Sequence, residues 1–312
     1  MAKIAVAGAT GLIGKKLVSA LLKRNDEVVV IGRDIAKIKN VFPEVKLYSD
    51  YSLNYLKVLE KTDSFVNLAG TNVAGGRWTE EYKKKIIDSR VSSAKAVINI
   101  INYLNPKQNS YITASAIGYY GISETKTFTE KDSFGHDFLA KVCERWENEA
   151  SEVIKMGVRE ATVRIGIVLA KEGGALKKML IPFNLFLGGP LGSGVQWFSW
   201  VHIDDLINVF LFAIDNNISG GINAVAPNPV RMKHFTETLG KVINRPNYFP
   251  VPEFILKLIM GEANYIVTKG NRVIPEKLIL SKFNFQFTQL KDALQDLLIK
   301  QKNKNEIDGK FN

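Results

Sequence analysis

The chain has 312 residues, 46% of them hydrophobic, a net charge of +11 and a single cysteine, Cys143. That length buries one large core or two unequal ones. One cysteine excludes an internal disulfide and a multi-cysteine zinc site, and no apolar run reaches the roughly 18 residues of a membrane span. The positive charge raises nucleic acid as a partner, but the lysine runs at 83–85 and 300–304 have no interleaved aromatics and read as solvated surface. No nucleic acid and no membrane are therefore expected. A strand beginning at residue 3 leaves no room for a leader peptide, which with the lone cysteine makes a reducing cytoplasm the expected compartment.

Ile4 to Ala7 is a short apolar run, rich in strand formers and too brief for a helix. Gly8, Gly11 and Gly14 follow, and Ile13, Leu17 and Leu21 then recur at helical spacing. Strand, glycine turn, helix is the context a dinucleotide-binding fingerprint requires, although the spacing is G-x-x-G-x-x-G rather than G-x-G-x-x-G. Gly8 permits a sharp turn, Gly11 lets backbone approach a pyrophosphate, and Gly14 lets the helix lie close on the sheet. The helix tip offers unpaired N–H groups and a positive dipole end to phosphates. A tight turn without a ligand is the alternative.

Glu27 to Ile31 reads as a second strand ending at Gly32-Arg33-Asp34, about twenty residues past the glycines, where such a fold inspects the adenosine ribose. Arg33 would pair bidentately with a 2′-phosphate, so NADP(H) is favoured over NAD(H). Asp34 competes, as a 2′-hydroxyl partner or as the N-cap of the next helix. Val45 to Tyr48 is a short third strand, and Ser64 to Asn67 a fourth, closing on the small-residue turn Leu68-Ala69-Gly70. Thr79 to Leu104 reads as a long helix capped by Thr79 and ended by Pro106, with Arg90 beside its apolar face and within reach of cofactor phosphates.

Ser110 to Ser115 is the fifth strand, and the run Ser115-Ala-Ile-Gly-Tyr119-Tyr120-Gly121 at its end places a hydroxyl and two phenols where they can polarise a substrate carbonyl. Packing of the two rings in the core is the alternative. Phe134 to Met156 is an amphipathic helix, and Arg159 to Ala170 a further strand. Trp197 and Trp200 follow a glycine loop and can line a pocket or pack between domains, and His202, without metal-ligand neighbours, reads as structural. After Ala226 prolines punctuate short helical pieces, which divides the chain into 1–226, a small helical region 227–300 closing on Leu290, Leu294 and Leu297, and a polar tail 301–312.

Taken together, these pieces resemble a known group. Gly8 to Gly14, Asn67 to Gly70, Arg77-Trp78-Thr-Glu80, Asp88-Ser-Arg90, Ser115 to Gly121, Asp137-Phe-Leu139, Trp146-Glu147, Arg164 to Val168, Trp200 to Asp205, Asn223 to Pro227 and Val273-Ile-Pro275 are similar to the extended, epimerase-like short-chain dehydrogenases/reductases, and within them to the "epimerase family protein" group. The resemblance covers nearly the whole chain. It implies an α/β fold, a Rossmann doubly wound parallel sheet with a smaller, mostly helical C-terminal domain, and NADP(H) as cofactor. Carried over by position, Gly8, Thr10, Gly11, Leu12, Ile13 and Gly14 hold the pyrophosphate, and Gly32 and Arg33 meet the 2′-phosphate. Leu68, Ala69 and Gly70 line the ribose, and Arg90 and Val168 approach the cofactor.

One departure outweighs the matches. The wider superfamily is expected to use Ser, Tyr and Lys, the last two as Tyr-x-x-x-Lys on the helix after the fifth strand. Ser115 survives, but anchoring that helix on Trp146-Glu147 puts Leu139 and Cys143 at the other positions, and shifting by two puts Asp137 and Lys141 there. Neither register restores the dyad, so Ser115 and Tyr119 are the expected catalytic residues, with Tyr120 as an alternative phenol. The expected activity is an NADP(H)-dependent oxidoreductase or sugar-nucleotide-epimerase-like enzyme on a small carbonyl or hydroxyl substrate. The rival is a non-catalytic NADP(H)-sensing protein, and a homodimer is left open.

Overall fold

The structure, a computed structural model, describes residues 1–105 and 109–300. Pro106 and the polar tail 301–312 lie outside them. The first half alternates strand and helix: β1 (Lys3–Ala7), α1 (Leu12–Lys23), β2 (Glu27–Ile31), α2 (Ile35–Val41), β3 (Leu47–Ser49), α3 (Leu56–Leu59), β4 (Ser64–Asn67), α4 (Glu80–Leu104) and β5 (Ser110–Ala116). After β6 (Thr127–Phe128) come α5 (Phe138–Ser151), β7 (Arg159–Ile165), β8 (Ile167–Leu169), α6 (Gly174–Asn184), β9 (Trp197–Phe198), β10 (Trp200–His202), α7 (Ile203–Asp215) and β11 (Gly220–Ala224).

Seven strands form one parallel sheet in the order β11-β7-β5-β4-β1-β2-β3. The order reverses between β1 and β4, the place where doubly wound sheets open a crevice at their carboxyl ends. Helices cover both faces, which is why the strands read as unbroken apolar runs rather than alternating ones. Ile4, Val6, Val28 and Val30 pack with Leu17, Leu21, Leu206 and Phe210 on one side. On the other, Ala5, Ala7, Val29 and Phe65 meet Val97, Ile101 and Val153.

Three boundaries differ from the sequence reading for local reasons. The strand expected over 159–170 breaks at Gly166, whose N–H bonds Ala224 while Ile167 turns to Ser199, so β8 leaves the main sheet and pairs with β10. The helix expected from Phe134 starts at Phe138 instead, because the Asp137 carboxylate caps it by accepting from Ala140 N–H at 2.9 Å. The third strand lies slightly later, at Leu47–Ser49. Thr79 caps α4 as expected, accepting from Tyr82 N–H.

The C-terminal region is mostly helical: β12 (Val230–Arg231), α8 (Met232–Ile243), α9 (Glu253–Met260), α10 (Tyr265–Thr268), β13 (Arg272–Val273), α11 (Glu276–Leu280) and α12 (Leu290–Gln295). Leu290, Leu294 and Leu297 are buried in the same core as Phe235 and Leu239 of α8. Two short ladders tie this region back, β12 to β9 and β13 to β6.

His202 is buried, and the fold brings Asp204 and Asp296 to it, the Asp296 carboxylate lying 3.5 Å from its Nε2. Its Nδ1 accepts from Asp204 N–H at the tip of α7, its ring stacks on Phe287 with centroids 3.9 Å apart, and next to it the Asp205 carboxylate accepts from Gln286 and Phe287 N–H. Burial lowers the imidazole pKa from 6.5 to about 4. The unfolded chain therefore takes up this proton near pH 6.5 and the folded one only near pH 4, so stability present above pH 6.5 is lost as pH falls through that window. His202→Asn, which keeps a capping acceptor, should be spared this loss. Urea denaturation at pH 7 and pH 4.5 is expected to show wild type losing about 2 to 3 kcal/mol more than the variant.

Candidate functional site

A cavity of about 690 Å³ opens at the carboxyl end of the sheet, at the strand-order reversal. Gly8, Gly11, Leu12, Ile13 and Gly14 from the β1–α1 turn line it, with Leu68 and Gly70 after β4, Arg90 of α4, Ser115 of β5 and Val168 of β8. Each glycine is present for a different reason. Gly8 sits at φ +77, and a Cβ there would meet the backbone of Leu68 and Ala69 at 2.6 Å. At Gly14 a Cβ would meet Ala9 and Gly8 backbone at 2.6 Å, so helix and turn fit only without one. Gly11 has ordinary φ (−74), and its Cβ would come no nearer than 3.5 Å to the Gly8 carbonyl. Nothing in the chain requires glycine at 11; the space it leaves belongs to the cavity. It is also the N-cap of α1 with no side chain capping the helix, so the first N–H groups face that space unpaired.

Arg90 is the cation of this wall. Its guanidinium stacks on Trp146 at 5.0 Å, donates to the Ile86 carbonyl and lies against Gly70. Among the described residues no carboxylate pairs with it, and burial pulls its pKa down. A partly desolvated, unpaired guanidinium beside an open helix tip is an anion site in chemical character.

Five of the expected residues do not line this cavity. Thr10 is exposed at the turn, and Ala69 N–H is held by the Asn67 side chain at 3.1 Å. Gly32 extends β2 by bonding Ser49, and Arg33 beyond it is exposed. Asp34 takes the capping role, accepting from Lys37 N–H at 2.9 Å, which leaves Arg33 as the polar group at that strand end with no such commitment.

Tyr119, expected as a catalytic phenol, is the fifth, and its placement corrects that expectation. Its ring covers the Arg164 guanidinium at 3.4 Å and packs against Tyr120 and Phe134. Tyr120 is buried, its hydroxyl donating to Asn223 Oδ1 (2.7 Å) and accepting from Arg164 (2.9 Å); burial drives its pKa well up. Arg164 engages both rings, and neither lines the cavity. That guanidinium also grips Glu147 bidentately, Nε to Oε1 at 3.0 Å and Nη2 to Oε2 at 2.8 Å, and Ser115 donates to the same Oε1 at 2.6 Å. Ser115 thus lines the cavity with its hydroxyl already donating to a carboxylate, and towards the cavity it can only accept.

Helix α5 presents one side to the cavity, beginning with Asp137 at its cap. Leu139, Cys143 and Trp146 line the cavity, while Lys141 is exposed. Cys143 is buried, and burial together with the Glu147 charge pushes its thiol up to about 12, so it is no nucleophile. Trp197, which the sequence offered as a pocket residue, lines the cavity, and so do Asp137, Tyr265, Ile266 and Lys269. Asp137 entered the sequence reading only through a matching motif and one register of α5, and Tyr265 has no motif around it. Its approach to Asp137 is a product of tertiary packing.

A family model described as the NAD dependent epimerase/dehydratase family matches residues 4–163. An Arabidopsis thaliana relative, the chloroplastic epimerase family protein SDR39U1 homolog, is 40% identical over 301 residues, 95% of this chain and 86% of that protein. The chain belongs to the NAD dependent epimerase/dehydratase family. Within this family, Bacillus subtilis epimerase family protein YfhF is 36% identical across 96% of this chain and 99% of its own. Human epimerase family protein SDR39U1, solved with NADPH, matches with a TM-score of 0.84 at 29% identity over 95% of this chain and 98% of that one. UDP-glucuronic acid 4-epimerase from Bacillus cereus shares the fold at 16% identity and a TM-score of 0.73. A second model, for a domain of unknown function, matches residues 251–297, the stretch that carries Tyr265.

The Glu147–Arg164 pair is the feature of this site with the most energy at stake. Both side chains are nearly buried, and removing one partner leaves the other charge uncompensated in low dielectric. Glu147→Ala should lower unfolding free energy by about 3 to 5 kcal/mol, read as a shift of the urea midpoint, whereas an exposed pair such as Lys155 with Glu152 should give less than about 1 kcal/mol.

Proposed function

We propose that this protein binds NADP(H) and acts as an oxidoreductase on a small carbonyl or hydroxyl compound. The observation that carries the proposal is the unfilled space at Gly11, in front of an uncapped helix tip and beside the unpaired Arg90. Three backbone N–H groups and a guanidinium converging there suit a pyrophosphate, for which Gly8 to Gly14 supply the cradle. Leu68, Gly70 and Val168 would flank the ribose, and Arg33 would meet the 2′-phosphate, with Asp34 engaged in its cap. NADPH in the human relative's structure supports the same choice of cofactor. When bound, that cofactor supplies hydride; the chain's own residues bind, orient and exclude water.

A second reading, a protein that senses NADP(H) without turnover, is favoured by two observations. The positions expected for tyrosine and lysine hold Leu139 and a buried Cys143, and Ser115 donates its hydrogen bond to Glu147. Oxidation of bound NADPH by a panel of aldehydes and ketones separates the readings.

The glycines allow a test in which folding and binding come apart. Gly11→Ala should unfold within about 0.5 kcal/mol of wild type, because the new methyl has room, yet lose NADPH affinity at least tenfold by fluorescence titration. Gly14→Ala should instead destabilise by more than about 2 kcal/mol, since backbone stands where its methyl would go. Arg33→Ala should erase a preference for NADPH over NADH and leave NADH affinity unchanged. Equal affinity of wild type for both dinucleotides, or for neither, removes the proposal.

A further inference from the structure

We propose that the acid of this site is the Tyr265 phenol, supplied by the C-terminal region and oriented by Asp137. This inference rests on the oxidoreductase reading above. Of the expected proton donors, Tyr119 and Tyr120 engage Arg164 and do not line the cavity, and Ser115 is turned to Glu147. Tyr265 is the tyrosine that lines the cavity among the described residues, and Asp137 and Leu139 line it too. Leu139 occupies the position where the superfamily carries its tyrosine, so the phenol reaches the same chamber from the opposite wall.

The local packing fixes the ring. Tyr265 sits against Trp78 (6.4 Å between centroids) in a cluster with Val73, Phe138, Leu139 and Met260. Asp137 is held in turn, one oxygen capping α5 at Ala140 N–H. Burial first, and then the negative charge of the Asp137 carboxylate, keep the phenol protonated far above neutral pH. Of the charged groups on the elements around it, Lys83 pairs with Glu80 and Glu262 and Lys269 with Glu253, while Arg77 and Arg90 donate to the carbonyls of Leu258 and Ile86. A carboxylate beside the phenol does the opposite of the lysine expected in the superfamily. It disfavours phenolate, so the phenol stands protonated at neutral pH and gives up its proton only to a stronger base, the alkoxide that forms on the substrate.

The step assigned to Tyr265 is one proton transfer. As a carbonyl carbon gains hydride from NADPH, forming a C–H bond, the carbonyl π pair moves to oxygen and forms an O–H bond with the Tyr265 proton. The carbonyl is reduced to an alcohol, NADPH is oxidised to NADP⁺, and the phenolate recovers a proton from water. The chemistry is that of a carbonyl reductase; an epimerase must run both directions and needs an accessible phenolate.

The test uses full-length wild type, Tyr265→Phe and Asp137→Asn, the last retaining a capping side chain. Each is assayed with NADPH and 4-nitrobenzaldehyde, by NADPH fluorescence titration, and by tyrosinate absorbance across alkaline pH. Expected are a fall in kcat of at least a hundredfold in Tyr265→Phe with NADPH affinity within twofold, and one tyrosine in Asp137→Asn ionising at lower pH than in wild type. Tyr265→Phe retaining kcat within threefold overturns the inference, as does a wild type that binds NADPH but does not oxidise it, or an unchanged absorbance titration in Asp137→Asn. A wild type that binds no NADPH removes the underlying reading and this inference together.

Discussion

The turn after β1 and the turn after β4 touch through backbone alone, and the rest of the site depends on that contact. Gly8 lies against Leu68 and Ala69 with no room for a Cβ, and Gly14 lies against Ala9 in the same way. The first contact brings the two strand ends of the crevice together; the second seats α1 so that its tip points into it. Side chains at either position would push helix and turn apart by an ångström or more, and N–H groups that converge on one volume would no longer do so. Gly11, between them, is relieved of any such duty. That division of labour within seven residues makes the helix tip both rigid and empty.

Charge organises the wall behind β5. Arg164 holds Glu147, Tyr120 and the face of Tyr119, and Glu147 accepts a hydrogen bond from the Ser115 hydroxyl. These groups satisfy one another, which is how ionised side chains persist at low exposure. Their mutual satisfaction also removes them from proton transfer, since a phenol bonded to Arg164 and Asn223 has neither a free proton nor a path to the cavity. Cys143 follows the same logic. It lies near Arg90, whose guanidinium already supplies the positive charge of this corner. An ammonium at 143 would face that guanidinium across a partly dry space, and the repulsion would depress both pKa values.

Sequence reading reached the parts that are local. The order of strands and helices, the glycine turn, the Thr79 cap and the buried face of α4 all follow from patterns a few residues long, and all are present. The strand after β5 ran too far because an apolar stretch does not reveal that Gly166 redirects the chain to Ser199. Tyr119 and Tyr120 were placed correctly along the chain and wrongly in space: position at a strand end does not tell which side of the sheet a ring takes. Arg164, 44 residues from Tyr120 along the chain, meets both rings only through the pairing of β7 with β5. Tyr265 was out of reach for the same reason, as its neighbours Asp137 and Trp78 come from two distant helix starts.

The two halves of the cavity therefore carry different kinds of information. The wall built by β1, α1 and β4 is backbone and dipole, suited to phosphates that recur in every dinucleotide, and its signature is written in glycines. The opposite wall carries Trp197, Tyr265 and Ile266 together with the polar Asp137, Ser199, Lys269 and Asn271. The region matched by the domain of unknown function supplies Tyr265, Ile266, Lys269 and Asn271 to this wall, side chains that no short motif marks.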